Sequence, residues 1–205
     1  MSRNQDLYDA ICRGDKNIVE QIAKKAALQG ADVICLLTES MIPAMKEIGE
    51  RFSRNEVYVP EMLIAARAMQ SGLDIIEPLL TKTGYEAPAK VCIGTVKGDL
   101  HDIGKNLVAM MLKGSGFEVD DLGTDCSVDK FISAIKNGSN VVCLSALLTT
   151  TMTYMKTVVQ ALKDYKDVKI VIGGAPVTQE YADEISAHGY AANANAAVKL
   201  ILALI

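Results

Sequence analysis

Short apolar runs alternate with helix-like runs from residue 90 to the end of the chain. The strand-like runs are 90–96, 117–122, 141–147, 169–173 and a short fifth near Tyr190, and the helix-like runs are 103–113, 128–136, 150–164, 178–187 and 194–204. Strict alternation of strand and helix is typical of a parallel sheet with crossover helices on both faces. The pattern therefore predicts a doubly wound α/β domain over residues 90–205.

Residues 1–80 show helical spacing instead, with apolar residues that recur on one face of each segment. Ser40 is expected to cap the fourth helix, with Pro43 in its first turn, and Pro60 is expected to open the fifth. Residues 81–89 contain glycine, proline and polar residues without periodicity, which predicts a linker. The predicted fold class is thus α/β: an N-terminal antiparallel helical bundle, the cap, followed by a Rossmann-like or flavodoxin-like parallel sheet.

Composition narrows the classes of function. The formal net charge is −4 and no basic run occurs, which argues against nucleic acid as a partner. No apolar run approaches the ~20 residues of a membrane span, and the first residues show no signal-peptide pattern. The five cysteines are scattered without a Cys-x-x-Cys pair, as expected of reduced thiols rather than of disulfides or a zinc site. We therefore expect a cytoplasmic protein that binds neither nucleic acid nor membrane.

A histidine stands between the first strand-like run and the helix that follows it, within the segment 98–104. Asp99, two residues before His101, can turn its carboxylate toward the imidazole, which would fix the tautomer and make the other ring nitrogen a better metal ligand. Gly104 leaves room for a bulky group above the loop. A lone histidine at a strand end is more often structural, so this motif does not stand by itself.

Two further groups follow strand-like runs and are therefore expected at the same edge of the sheet, where ligands bind in open α/β folds. Ser145, Leu147 and Thr149 follow the third run, and Gly173 with Gly174 follows the fourth. The alternative for the paired glycines is an ordinary turn. Three groups on one edge favour a ligand site that includes His101.

The order Asp-x-His-x-x-Gly, then Ser-x-Leu about forty residues later, then Gly-Gly about twenty-five residues after that, resembles the signature of cobalamin-binding domains. The N-terminal part is similar to the helical cap of the small corrinoid proteins of methyltransferase systems, so the resemblance covers the whole chain. It implies a cobalamin whose tail base has left the cobalt, with His101 as the lower axial metal ligand in its place. Asp99 would hydrogen-bond the other ring nitrogen.

The resemblance also assigns roles to the remaining residues. Thr151 would bond the aspartate, although a helix N-cap is an equally good role for it; Ser145 and Thr149 would contact the buried base. Residues 57–63 would lie over the upper corrin face, with core packing as the alternative. The implied cofactor-binding set is Gly98, Asp99, His101, Asp102, Ile103, Gly104, Ser145, Leu147, Thr149, Thr151, Gly173, Gly174 and Ala194, of which Leu147 lines the base slot and the last three follow the nucleotide tail.

The function implied is that of a corrinoid methyl carrier that alternates between cob(I)alamin and methylcobalamin. Its implied partners are a substrate-specific methyltransferase, a second methyltransferase that acts on tetrahydrofolate or coenzyme M, and a reductive activase. The segments 148–152 and 173–179 are most similar to carriers that serve methylamines, while methanol, aromatic methyl ethers and betaines stay open as donors. The alternatives are a cobalamin-dependent sensor, a detached subunit of an adenosylcobalamin isomerase, and a flavodoxin-like domain without a corrinoid.

Overall fold

The computed structural model describes residues 3–205, so the first two residues of the predicted cap lie outside the described part. The chain forms two compact units. One comprises the described residues up to Ala87 together with Lys113–Gly116, and the other comprises Pro88–Leu112 and Phe117–Ile205. Residues 81 and 82 form the last turn of a helix and the first strand begins at Lys90, so the connecting segment is 83–89.

The first unit is helical. Its helices are α1 (Gln5–Arg13), α2 (Lys16–Leu28), α3 (Val33–Leu36), α4 (Ile42–Ser53) and α5 (Val59–Lys82). Asn4, Asp15 and Asp32 cap the first three, because each side chain accepts a hydrogen bond from a backbone N–H in the first turn. Most of the apolar residues predicted on the inner face of α4 and α5 are buried, including Met45, Ile48, Ala66, Met69, Ile76 and Leu80. Phe52, Leu63 and Leu73 are only partly buried, and Met62 is buried in addition.

The predicted N-cap at Ser40 is wrong. A π-helical turn, Leu37–Met41, joins α3 to α4 without a break, so no helix begins at this residue. The hydroxyl of Ser40 is buried and accepts a hydrogen bond from the backbone N–H of Asn4 at 2.9 Å. The hydroxyl oxygen that would accept a hydrogen bond in an N-cap therefore accepts one from a distant part of the chain.

The second unit contains a five-stranded, all-parallel sheet. Its elements are β1 (Lys90–Thr95), α6 (Ile103–Gly114), β2 (Glu118–Asp121), α7 (Val128–Lys136), β3 (Val141–Ser145), α8 (Thr149–Met152), α9 (Tyr154–Leu162), β4 (Lys169–Gly173), α10 (Gln179–Ile185), β5 (Gly189–Ala191) and α11 (Ala194–Leu204). The strand order is β2-β1-β3-β4-β5, which confirms the doubly wound, flavodoxin-like prediction. The single helix predicted over 150–164 is divided into two helices, the short α8 and the longer α9.

The order reverses between β1 and β3, and ligands bind at such a switch point outside the carboxyl ends of the strands. Thr95, Ser145 and Gly173 are register partners across β1, β3 and β4. The loops after these three strands therefore leave the sheet side by side. They carry most of the residues that the sequence singled out.

Candidate functional site

The His101 loop is fixed to the end of β1. The hydroxyl of Thr95 is buried and donates to the carbonyl oxygen of His101 at 2.8 Å, while the N–H of Asp99 donates to the carbonyl oxygen of Val96 at 3.1 Å. The helix α6 then begins, with a 2.7 Å bond from the N–H of Asn106 to the carbonyl of Asp102. The histidine is therefore held between a strand end and a helix start, with its side chain 51% exposed.

The carboxylate of Asp99 is fully buried and bonds the imidazole. Its Oδ1 lies 2.8 Å from Nδ1 of His101 and accepts the backbone N–H of the same residue at 3.1 Å. Because an ionised carboxylate only accepts hydrogen bonds, Nδ1 carries a proton, and in the neutral ring the lone pair is therefore on Nε2. This is the arrangement in which a carboxylate orients a metal-binding histidine.

The second oxygen of Asp99 is bonded by the loop after β3. Its Oδ2 accepts the hydroxyl of Thr151 at 2.6 Å and the backbone N–H groups of Leu147 and Leu148 at 2.8 and 3.4 Å. Burial acts to raise the pKa of Asp99, but the hydrogen bonds from Thr151, Leu147 and His101 prevail and hold it well below its usual range. The carboxylate thus stays ionised over the physiological pH range.

Thr151 lies in the short helix α8 and not in a loop. The N-cap of that helix is Leu148, so the N-cap alternative for the threonine is wrong. Its hydroxyl also lies 3.0 Å from the carbonyl oxygen of Leu148, but it has one proton to give. The shorter bond to the charged Asp99 is the stronger of the two.

A second loop, 122–126, supports the His101 loop, and sequence reasoning missed it. Asp125 accepts the N–H of Gly98 on its Oδ1 at 2.8 Å and donates its own N–H to the carbonyl oxygen of Asp99 at 3.1 Å. Its φ of 51° lies in the left-handed region, which aspartate tolerates better than most residues. An acidic residue in the turn after β2 was the available signal, and it is a weak one.

Exposed apolar side chains lie on the His101 loop and on the loop after β3 that bonds Asp99. Leu100 and Ile103 are 73% and 79% exposed, and Leu147 and Leu148 are each 44% exposed. A Cβ added at Gly104 would meet no atom within 4 Å, so the surface is open at this residue. An imidazole nitrogen beside exposed apolar side chains is a surface that a large, flat, largely apolar ring carrying a metal would fit.

The paired glycines have a structural role in the sheet itself. A Cβ at Gly173 would lie 2.9 Å from the carbonyl oxygen of Ala191, and one at Gly174 would overlap the carbonyl oxygen of Ala146. Gly174 also has a φ of 130°, which L side chains rarely adopt. The turn alternative therefore has a physical basis, and a role in binding the cofactor tail stays a prediction.

The remaining predicted residues differ in how they are placed. Thr149 is exposed at the start of α8, and Asp102 is exposed with its Oδ2 3.0 Å from Nδ2 of Asn106. Ser145 is half-buried at the end of β3. Ala194 is 3% exposed at the start of α11, so the structure does not present its methyl group at the surface of this edge.

Comparisons with known proteins agree with this geometry. Residues 89–199 match the B12 binding domain family, and residues 3–77 match a second family of the same description. A corrinoid protein of Desulfitobacterium hafniense (strain Y51) is 36% identical, over 98% of this chain and 96% of that protein. A trimethylamine corrinoid protein of Methanosarcina barkeri is 39% identical, over 95% of this chain and 93% of its own length.

Two solved structures are also similar. A cobalamin-binding protein from Desulfitobacterium hafniense DCB-2 has a TM-score of 0.78 and 30% identity, and the match covers 97% of both chains. A chain of the methanol:cobalamin methyltransferase complex MtaBC from Methanosarcina barkeri has a TM-score of 0.86 and 25% identity, over 97% of this chain and 78% of that one.

Proposed function

The chain belongs to the corrinoid proteins with B12 binding domains, and on that premise we propose that it is the methyl carrier of a corrinoid-dependent methyltransferase system. The observation that carries the proposal is the imidazole of His101. Its Nδ1 is held 2.8 Å from a buried carboxylate, which leaves Nε2 free to bind a metal among exposed apolar side chains.

His101 would be the lower axial ligand of a cobalamin bound with its tail base away from the cobalt. When bound, the corrinoid supplies a metal centre that takes up and releases a methyl group. Leu100 and Ile103 would contact the ring from below, because they are exposed on either side of the histidine. The tail would follow the loops after β3 and β4, which carry Ser145, Leu147, Thr149, Gly173 and Gly174. Gly98 and Asp102 on the loop after β1, and Ala194 at the start of α11, complete the proposed set.

The hydrogen-bonded chain from Thr151 through Asp99 to His101 would control the proton on the imidazole. Asp99 stays ionised and its Oδ1 lies 2.8 Å from Nδ1, so it would compensate the positive charge of the ring if Nε2 also took up a proton. The hydroxyl of Thr151 withdraws part of the negative charge from the same carboxylate through its 2.6 Å bond. The three residues can thereby couple the release of the ligand to the uptake of a proton at Nε2.

The relatives suggest which partners the carrier has. The trimethylamine and dimethylamine corrinoid proteins among them support a methylamine as the donor, and the MtaBC complex supports docking to a substrate-specific methyltransferase. We also propose a second methyltransferase that acts on tetrahydrofolate or coenzyme M, and a reductive activase. No helix among residues 3–205 is both long and apolar enough to cross a membrane. No disulfide joins any of the five cysteines, all of which lie in the described residues 3–205, and this supports a reducing, cytoplasmic setting.

The first test is reconstitution with hydroxocobalamin, followed by removal of free cofactor and comparison of the visible spectrum with that of His101→Ala. Stoichiometric retention with a spectrum that changes in this variant supports histidine ligation, and His188→Ala is the matched control because it removes the other histidine of the chain. Retention with an unchanged spectrum would refute ligation by His101. Absence of retention would refute the corrinoid site.

The carrier role needs a second experiment. The reconstituted, chemically reduced protein is mixed with a methylamine methyltransferase and trimethylamine, and the release of dimethylamine is measured. One equivalent released per bound corrinoid supports the role. The His101→Ala protein provides the background rate, and failure with methylamine, methanol and methyl-ether methyltransferases alike would refute a carrier function.

A further inference from the structure

Lys105 is a buried lysine in the first turn of α6, four residues after His101, and the mechanism above does not use it. Its side chain is 2% exposed, and its Nζ lies 2.5 and 2.6 Å from the two carboxylate oxygens of Asp121. A third acceptor, Oδ1 of Asn106, lies at 2.6 Å. Lysines are almost never buried unless they are paired, so this ion pair needs an explanation.

Asp121 is the last residue of β2 and precedes the loop 122–126. Its Oδ1 accepts the N–H of Gly123 at 2.9 Å as well as the lysine ammonium. The ion pair therefore joins the start of α6 to the first residues of this loop. Because the ammonium binds both carboxylate oxygens, the carboxylate has little freedom to turn away from Gly123.

The loop 122–126 is in turn bonded to the segment that carries the histidine. The carbonyl oxygen of Gly123 accepts the N–H of Thr95 at 3.0 Å, and the hydroxyl of Thr95 donates to the carbonyl of His101 at 2.8 Å. Asp125 bonds Gly98 through its side chain. A displacement of the loop would therefore reach both ends of the segment 98–101.

We propose that Lys105 is a positioning residue for His101: its ion pair with Asp121 holds the loop 122–126 and the start of α6 together, and so fixes the histidine between them. The inference rests on the proposed role of His101 as the metal ligand. It assigns Lys105 no contact with the cofactor. Its effect passes through Asp121, the loop and Thr95.

An ion pair between β1 and β2, at the opposite end of β2 from Asp121, offers a matched control. Lys90, the first residue of β1, lies 2.7 Å from Oε1 of Glu118, the first residue of β2, and the two side chains are 30% and 60% exposed. Exposed ion pairs contribute little to stability. Lys90→Met removes an ion pair between the same two strands but leaves the loop 122–126 untouched.

The experiment compares Lys105→Met, Asp121→Asn, the double variant and Lys90→Met. Each full-length protein is titrated with hydroxocobalamin, and the bound cofactor is then reduced to the cobalt(II) state for electron paramagnetic resonance. The histidine of each protein is labelled with nitrogen-15, so the doublet splitting in that spectrum reports the fraction of cobalt bound by the histidine, whereas the base of the cofactor would give a triplet. Thermal unfolding without cofactor reports whether each variant is folded.

We expect Lys105→Met to bind the corrinoid about tenfold more weakly, which is the lower end of the effect of residues that orient metal ligands. The fraction of histidine-bound cobalt falls with it, whereas Lys90→Met matches the unchanged protein. Because Lys105 acts through Asp121, the single variants and the double variant should have similar effects instead of additive ones. If Lys105→Met does not fold, Asp121→Asn still tests the inference. Asp121 is 38% exposed, so its replacement by an amide removes a partly hydrated charge and should leave the protein folded.

Two results would refute the inference. One is a Lys105→Met protein of lowered thermal stability that keeps unchanged affinity and histidine coordination, because the ion pair would then be structural only. The other is full additivity of the two single variants. If the protein without substitutions shows no histidine nitrogen on cobalt, the proposed function is refuted instead. Failure of the inference and failure of the proposed function can therefore be distinguished.

Discussion

Replacement of Asp99 by asparagine tests the local structure of the site without any cofactor. The carboxylate accepts hydrogen bonds on both oxygens from His101, Leu147 and Thr151, and it is fully buried. Asparagine has the same shape, but one of its two positions becomes an NH₂ donor. Whichever way the amide turns, a donor faces a donor.

The expected cost follows from which donors can adapt. On the Oδ2 side the hydroxyl of Thr151 can rotate toward the carbonyl of Leu148, and on the Oδ1 side the imidazole can change its tautomer. The backbone N–H groups of Leu147 and His101 cannot change, so one of them stays buried and unsatisfied, which costs about 1–3 kcal/mol. The loss of charge on the remaining hydrogen bonds adds roughly 1 kcal/mol.

We therefore expect Asp99→Asn to lower the free energy of unfolding by about 3 kcal/mol and the Tm by roughly 6–12 °C for a chain of this length. The assay is urea and thermal unfolding of the protein without cofactor. The pKa of Asp99 is lowered in the folded state, so its contribution is present above the unfolded pKa of about 4 and is lost as the pH falls below it. The difference between the two proteins should accordingly shrink in acid.

Asp102→Asn is the matched control, since it makes the same chemical change three residues away at an exposed carboxylate. Its effect on unfolding should stay within about 0.5 kcal/mol, as for most surface substitutions. Equal stabilities for the Asp99 and Asp102 variants would refute the account of the buried carboxylate.

Further predictions follow from individual contacts. Thr151→Val removes the hydroxyl bond to the carboxylate and should cost about 1.5–3 kcal/mol in urea unfolding; an unchanged midpoint would show that this bond does not contribute. Gly174→Ala should yield a strongly destabilised or insoluble protein because its Cβ overlaps the neighbouring strand end, whereas Gly104→Ala should unfold like the original chain. If Gly104→Ala nevertheless retains the corrinoid fully, the open surface there is not part of the binding site. Partial desolvation lowers the pKa of His188, whose Nδ1 accepts the N–H of Ile170 at 3.0 Å. The unfolded chain protonates His188 at about pH 6.5, and the folded chain does so only at lower pH. The free energy of unfolding should therefore decrease as the pH is lowered below about 6.5, and this decrease should be smaller in His188→Gln.

The sheet and the edge that carries the site were predictable from the sequence because both depend on local patterns. The alternation of apolar strands with amphipathic helices determines a parallel sheet. The carboxyl ends of parallel strands lie on one edge, so Asp99, Ser145 and Gly173 were expected together although they are far apart in the chain. The bond between Asp99 and His101 was also predictable from a local pattern, because the two residues are only two positions apart in the sequence.

Contacts between side chains and segments far apart in the sequence were not predictable. Lys105 with Asp121, and Asp125 with Gly98, are pairs separated by 16 and 27 residues, and no periodic pattern connects them. The start of α8 at Thr149 lies one residue from the predicted helix start, but its separation from α9 at Thr153 was not predicted. The bonds from the backbone N–H groups of Leu147 and Leu148 to Asp99, just before α8, were not indicated by a local pattern either.

The same limit applies in the cap. The spacing of Met45 and Ile48 indicated the buried face correctly, since burial follows the helical repeat. The π-helical turn at Leu37–Met41 was not indicated, because it coincides with a tertiary hydrogen bond between Ser40 and Asn4 that a local pattern does not encode.

The most direct measurement of the central claim identifies the nitrogen bound to cobalt. The protein is produced with histidine labelled with nitrogen-15, reconstituted, reduced to the cobalt(II) state and examined by electron paramagnetic resonance. Ligation by His101 predicts that the triplet splitting from ordinary nitrogen becomes the doublet of nitrogen-15, in the original chain and in His188→Gln alike. A triplet that persists in the labelled protein would mean that the lower ligand is the base of the cofactor, and the role assigned to His101 would be wrong.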